Sequence, residues 1–155
     1  MPTPAPYRDR DFLRAIAKRL NDTGQFDAVT TSGPPEDRGQ SAENLKLAGL
    51  ELASFIEVSA ESDYAALPQR RTVSYTLHLY VRNPDPDARD DELDRLAQVA
   101  GNALTFAGLL SENAPDLCTC GRGNYGAGTS VERRLTMYGS FVYLIPDTNA
   151  RNETP

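Results

Sequence analysis

The sequence predicts an α+β domain, an antiparallel or mixed sheet of about four to five strands with two main helices packed on one face. Three observations carry that reading. Two segments place apolar residues at helical spacing, several others alternate with the period of a strand, and the types follow one another as helix, β region, helix, β region. At 155 residues the chain has the common size of one domain. A domain of this length buries roughly 70% of the surface of its unfolded chain, so its core needs neither disulfides nor metal. The ordered core is expected over about residues 8–146, between looser tails.

The first helix is expected over residues 8–21. Phe12, Ile16 and Leu20 recur every fourth position with Ala15 and Leu13 beside them, while Arg8, Arg10, Asp11, Arg14, Lys18 and Arg19 take the other face. Gly24 suits the turn that follows. Residues 25–31 (QFDAVTT) read as a short strand. Residues 32–44 (SGPPEDRGQSAEN) read as a long loop, and loops of that length in a compact domain are usually functional or disordered. A strand is expected over residues 50–60, with Leu50, Leu52, Ile56 and Val58 in phase.

Residues 71–82 (RTVSYTLHLYVR) make the strongest strand signal. Val73, Tyr75, Leu77, Leu79 and Val81 share one face, and Thr72, Ser74, Thr76, His78 and Tyr80 the other. The acidic connection at 83–91 offers Asp87 or Asp90 as an N-cap for a second helix, expected to run to about residue 109 on the stripe Leu93, Leu96, Ala97, Ala100, Leu104 and Ala107. Residues 112–129 read as a second irregular stretch, with Gly121, Gly123, Gly126 and Gly128 at positive φ. Residues 130–145 close the chain as a strand with Leu135, Met137, Phe141, Tyr143 and Ile145 on one face.

With 39% apolar and 25% charged residues the composition is that of an ordinary globular protein. The net charge of −6, from 22 acidic and 16 basic residues, argues against a dedicated nucleic-acid binder. Lys18 and Lys46 are the only lysines, so the positive charge is nearly all arginine. No segment has the roughly 20 apolar residues of a membrane span, and residues 1–10 have no apolar signal region, so synthesis in the cytoplasm is expected. Cys118 and Cys120 are then free thiols, since a bridge across one residue would be strained.

Motifs that spell chemistry lack its context. Residues 121–126 (GRGNYG) match GxGxxG, but a dinucleotide loop must follow a strand and open a helix, and here a helix precedes and a strand follows. His78 is the one histidine, so a triad or a Cys2His metal site would have to join it to Cys118 or Cys120. The acidic run Asp85, Asp87, Asp90, Asp91, Glu92 and Asp94 lacks the glycine and terminal glutamate of a calcium loop and suits helix capping. No catalytic residue, cofactor or metal is assigned. The pairs Arg70–Arg71 and Arg133–Arg134 flank strands and can bridge subunits to Glu36–Asp37 or to residues 85–91. Candidate interface residues are therefore Glu36, Asp37, Arg38, Arg70, Arg71, Asp85, Asp87, Arg122, Tyr125, Arg133 and Arg134.

The stretches FLRAIAKRLNDTGQFDAV (12–29), LASFIEVSA (52–60), RRTVSYTLHLYVRN (70–83), DELDRLAQVAGNAL (91–104) and RRLTMYGSFVYLIP (133–146) carry a resemblance. Over residues 8–146 the layout resembles the tail terminator, or head-to-tail joining, proteins of long-tailed bacteriophages and gene transfer agents. That resemblance implies a virion protein forming a ring, commonly a hexamer, on the last ring of tail tube protein. It implies that the ring stops tube growth and receives the head–tail connector (stopper) protein, while DNA passes through the lumen without specific binding. The longer loops at 32–44 and 121–128 depart from a minimal member. The alternatives are another head–tail connector or tube protein, and a small enzyme or ligand-binding domain using His78 and Cys118 or Cys120.

Overall fold

A computed structural model describes residues 8–36, 44–53, 69–107 and 117–145. The elements are α1 (Asp9–Asn21), β1 (Ala28–Thr30), β2 (Leu45–Leu52), β3 (Gln69–Arg82), α2 (Pro86–Ala103), β4 (Phe106–Ala107), β5 (Leu117–Tyr125) and β6 (Glu132–Ile145). They build one six-stranded mixed sheet in the order β1-β2-β3-β6-β5-β4. The β1–β2 pair is parallel and all other pairs are antiparallel. The α+β class holds; the extra strand over the expected range is one of the two very short edge pieces, β1 and β4.

The long pair β3–β6 fixes which residues face the helices. Val73, Leu77 and Leu79 stand opposite Phe141, Met137 and Leu135, and all six are buried. Phe12, Leu13, Ile16 and Leu20 of α1 and Leu93, Leu96 and Ala100 of α2 close the same core. Both helices therefore lie on one side. On the other side a second small cluster joins Leu45 and Leu47 to Tyr80.

Several expectations are corrected. Residues 117–125 form a strand, and Gly123 in it serves close approach and not a turn. A Cβ at Gly123 would sit 2.3 Å from the Thr136 carbonyl oxygen and 2.7 Å from the Tyr138 ring. Among the described residues only Gly24 and Gly33 take positive φ, at 72° and 106°. The second helix is capped by Asp85, whose side chain accepts from the Asp87 N–H at 3.1 Å, with Pro86 at the first helical position. It ends at Ala103, and the chain turns into β4 where the stripe was expected to continue. β2 begins at Leu45, earlier than the strand read over 50–60, and residues 54–60 lie outside the described residues.

The start of the long loop folds back onto its own sheet. The Gly33 N–H donates to the Leu50 carbonyl at 3.2 Å, and Arg134 Nη1 donates to the Pro35 carbonyl at 2.9 Å. Gly49 makes room for this arch, since a Cβ there would lie 2.0 Å from the Gly33 oxygen.

Gly139 is tightly packed, since a Cβ would meet the Tyr75 ring at 2.5 Å and the Thr119 carbonyl at 2.2 Å. We expect Gly139→Ala to cost about 1–3 kcal/mol by overpacking. Gly101→Ala, in the last turn of α2 with a Cβ that meets nothing nearer than 3.8 Å, is expected to raise stability by about 0.5–1 kcal/mol. Urea denaturation of the two variants checks the contrast.

Candidate functional site

The eleven candidate interface residues divide sharply. Arg122, Tyr125 and Arg133 are brought together at one end of the molecule, around the β5–β6 hairpin and the outer side of α2. The Asp94 carboxylate accepts from Arg122 and from the Tyr125 hydroxyl. The Tyr125 ring lies beneath two guanidinium groups, Arg133 at 4.5 Å and Arg122 at 5.2 Å. Arg133 in turn pairs with Asp90 at 3.1 Å. Sequence reading named the arginines and the tyrosine but not Asp94 as their hub; the signal was its i+4 spacing from Asp90 on one face of α2.

The electrostatics of this end follow from those contacts. The Tyr125 hydroxyl and then Arg122 hold Asp94 below the ordinary aspartate range. The same bond to Asp94 pushes Tyr125 up. Asp90 is lowered chiefly by the Arg89 side chain, with Arg133 adding to it. Arg89 is buried, and its Nη1 donates to the Thr129 carbonyl at 2.6 Å. It thus ties the first turns of α2 to the hairpin. Asp85 and Asp87 are exposed nearby at the start of the same helix.

The remaining candidates lie elsewhere. Arg71 is buried and makes two 2.8 Å bonds to the carboxylate of Asp9 on α1. Tyr143 adds its hydroxyl to Asp9 at 2.7 Å and accepts the Arg8 N–H at 2.8 Å. This knot anchors the N-terminus of α1 to β3 and β6, so Arg71 works inside the chain. Arg134 lies over the Tyr80 ring at 4.9 Å on the opposite face. Glu36 is exposed beside a hollow of about 470 Å³ that also touches Ala28, Thr30, Pro34 and Leu47. Arg70 pairs with Leu144 in the ladder, and Asp37 and Arg38 lie outside the described residues.

The residues of the alternative chemistry do not meet. His78 sits on the face away from the helices, bonded to Glu51 at 2.7 Å. Cys118 stands opposite Phe141 in the helix-side core, with the Tyr75 hydroxyl 3.6 Å from its sulfur. Burial pushes the Cys118 thiol up to about 12 and raises Cys120 as well. The GxGxxG segment is extended strand running into β6, with no helix behind it. Among the described residues no three His, Cys, Asp or Glu side chains converge as a metal site. Among the same residues no helix is long and apolar enough to cross a membrane.

No protein-family model and no curated protein matches the chain. Eighteen chains of solved structures are similar to it. One of them, at 14% identity, aligns over 90% of this chain and 99% of its own length with a TM-score of 0.52. The name of that protein states no function. At such identity the likeness shows a shared fold.

Two measurements test these contacts. Burial works against the charge on Asp9, but the bonds to Arg71 and Tyr143 win and lower it below 3.8. A depressed carboxylate contributes stability above its unfolded value and loses it as pH falls through the folded value. We expect Asp9→Ala to cost about 3 kcal/mol near neutral pH, because it strands a buried guanidinium. Acid titration of stability should show the gap from wild type closing below the ordinary aspartate range. For the thiols, mass spectrometry after iodoacetamide treatment at pH 8 should find Cys118 unmodified in the folded chain and modified in denaturant.

Proposed function

We propose that this chain is a tail terminator: a virion protein that forms a ring, of hexameric type, at the head-proximal end of a phage tail tube. The ring stops tube polymerisation and joins the tail to the capsid's connector protein. The observation that carries the reading is the one-sided placement of α1 and α2. Among the described residues it leaves most of the far face of a six-stranded sheet without a second layer, the arch of residues 32–36 apart. That face is lined by the hydroxyl residues Thr72, Ser74, Thr76, Thr136 and Ser140, and near its edge Tyr138 and Leu117 stay 55% and 42% exposed. A surface that sets exposed apolar and aromatic groups among hydroxyls suits a protein neighbour.

The layout over residues 8–146 supplies the second support, through its resemblance to the tail terminator family. The task of such a ring is geometric: one rim repeats the contacts of a tube subunit, and the other withholds them. The Arg122–Tyr125–Arg133 end offers an aromatic and two guanidinium groups, residue types enriched where proteins meet. The net charge of −6 suits a passage through which DNA moves without adhering, since like charges repel.

Native mass spectrometry of the purified chain, alone and with tail tubes, followed by electron microscopy, tests the proposal. A closed ring of about six copies with a hole that admits duplex DNA is the expected result. A chain that assembles neither alone nor on tubes overturns it.

A further inference from the structure

The sheet ends in two unlike edges. At one end, β1 pairs among the described residues with β2 alone. The Asp27 N–H donates inward to the Lys46 carbonyl at 2.8 Å, and the Gly33 N–H inward to Leu50. Backbone groups alternate along a strand, so Ala28 and Thr30 turn their N–H and C=O outward. Both residues are exposed. At the other end, β4 pairs only with Leu117 and Cys118. Beyond it, no strand among the described residues lies along the outer side of residues 119–125.

Such edges are ready templates for another strand unless they are blunted by proline, lysine or a cover. Neither β1 nor β5 contains proline or lysine. Their directions are also compatible. β1 runs with β2, and the successive antiparallel pairs β2–β3, β3–β6 and β6–β5 leave β5 running opposite to β1. A rotation about an axis along the strands preserves direction, so β5 of one copy meets β1 of the next antiparallel. There β1 would continue the line of β4.

The surroundings of the two edges match as well. Tyr138 lies over Gly123, whose missing side chain opens the way toward the edge. The hollow lined by Ala28, Thr30, Ser32, Pro34, Pro35 and Leu47 borders β1 on the same face of the sheet. Asp27 and Glu36, both exposed, flank β1, and Arg122 is on β5.

We infer that copies of this chain join edge to edge, residues 119–125 of one pairing with β1 of the next, with Tyr138 seated in the neighbour's hollow. The inference rests on the ring reading and names its joint. The contact is head-to-tail, two different surfaces meeting, which is the interface type that closes into rings. One continuous sheet then runs around the assembly.

The test compares wild type, Thr30→Pro and Tyr138→Ala by native mass spectrometry, with circular dichroism as the check on folding. Proline at an outward-facing edge position leaves the ladder to β2 intact. Each substitution is expected to raise the concentration for half assembly about tenfold or more, on the scale of one lost hydrogen bond or one lost buried ring. Hydrogen exchange on wild type provides a readout that no variant's misfolding can spoil. The amides of Ala28 and Thr30 should be protected in the assembled ring and exchange freely in the dilute monomer. Rings that form with unchanged affinity in both folded variants, or with these amides unprotected, overturn the edge joint while leaving the ring reading intact. Absence of any ring, alone or on tubes, overturns both.

Discussion

The fourteen-residue ladder between β3 and β6 is the constraint on which the rest of the molecule depends. Gln69 pairs with Ile145 and Arg82 with Glu132, with no break in register between them. Because side chains alternate, that one register decides the face of every residue in both strands. A slip of one position would turn Val73, Tyr75, Leu77 and Leu79 away from the helices at a stroke. The ladder is also self-marking: the bulk of Tyr75 stands opposite Gly139, the position in β6 that leaves room for its ring. In any other register that ring meets a side chain.

The helices depend on this register through polar as well as apolar contacts. Arg71 and Tyr143 are cross-strand partners in the ladder, and both reach Asp9 on the first turn of α1. The helix has no side-chain cap at Arg8; its first turn is held by the sheet. Phe12 stacks on Tyr143 at 4.4 Å just beyond. Sequence-adjacent arginines therefore end in different environments. Odd positions such as Arg71 and Arg133 face the helices and find Asp9 and Asp90. The even position Arg134 faces the other side and lies on Tyr80.

This parity explains what could be read from the sequence and what could not. The amphipathic period of residues 9–21 and the alternation of residues 71–82 gave α1 and β3 directly, because each buries one clean stripe. The last strand was legible for the same reason. β5 was not, because Gly121 and Gly123 look like turn formers when their neighbours are unknown. Gly123 in fact admits the Tyr138 ring and the Thr136 carbonyl, contacts from a strand that follows in sequence. The Asp85 cap was displaced onto Asp87 and Asp90 in a run where six of the ten residues 85–94 are acidic. Among the candidate interface residues, Arg122, Tyr125 and Arg133 did converge. The carboxylates that gather them, Asp90 and Asp94, belong to a helix whose placement only the tertiary fold supplies.

Arg89 holds a consequence for that convergent end. Its buried guanidinium fastens the backbone at Thr129, between two strands, to the first turns of α2. A glycine-containing hairpin would otherwise sample many shapes, and a partner would have to select one of them. Tethered from beneath, the hairpin loses that freedom during folding and not at the moment of contact. Under the proposed function, docking at this end would carry a smaller entropic cost, and the geometry it presents is inherited from the core. A buried residue thereby sets the shape of an exposed hairpin.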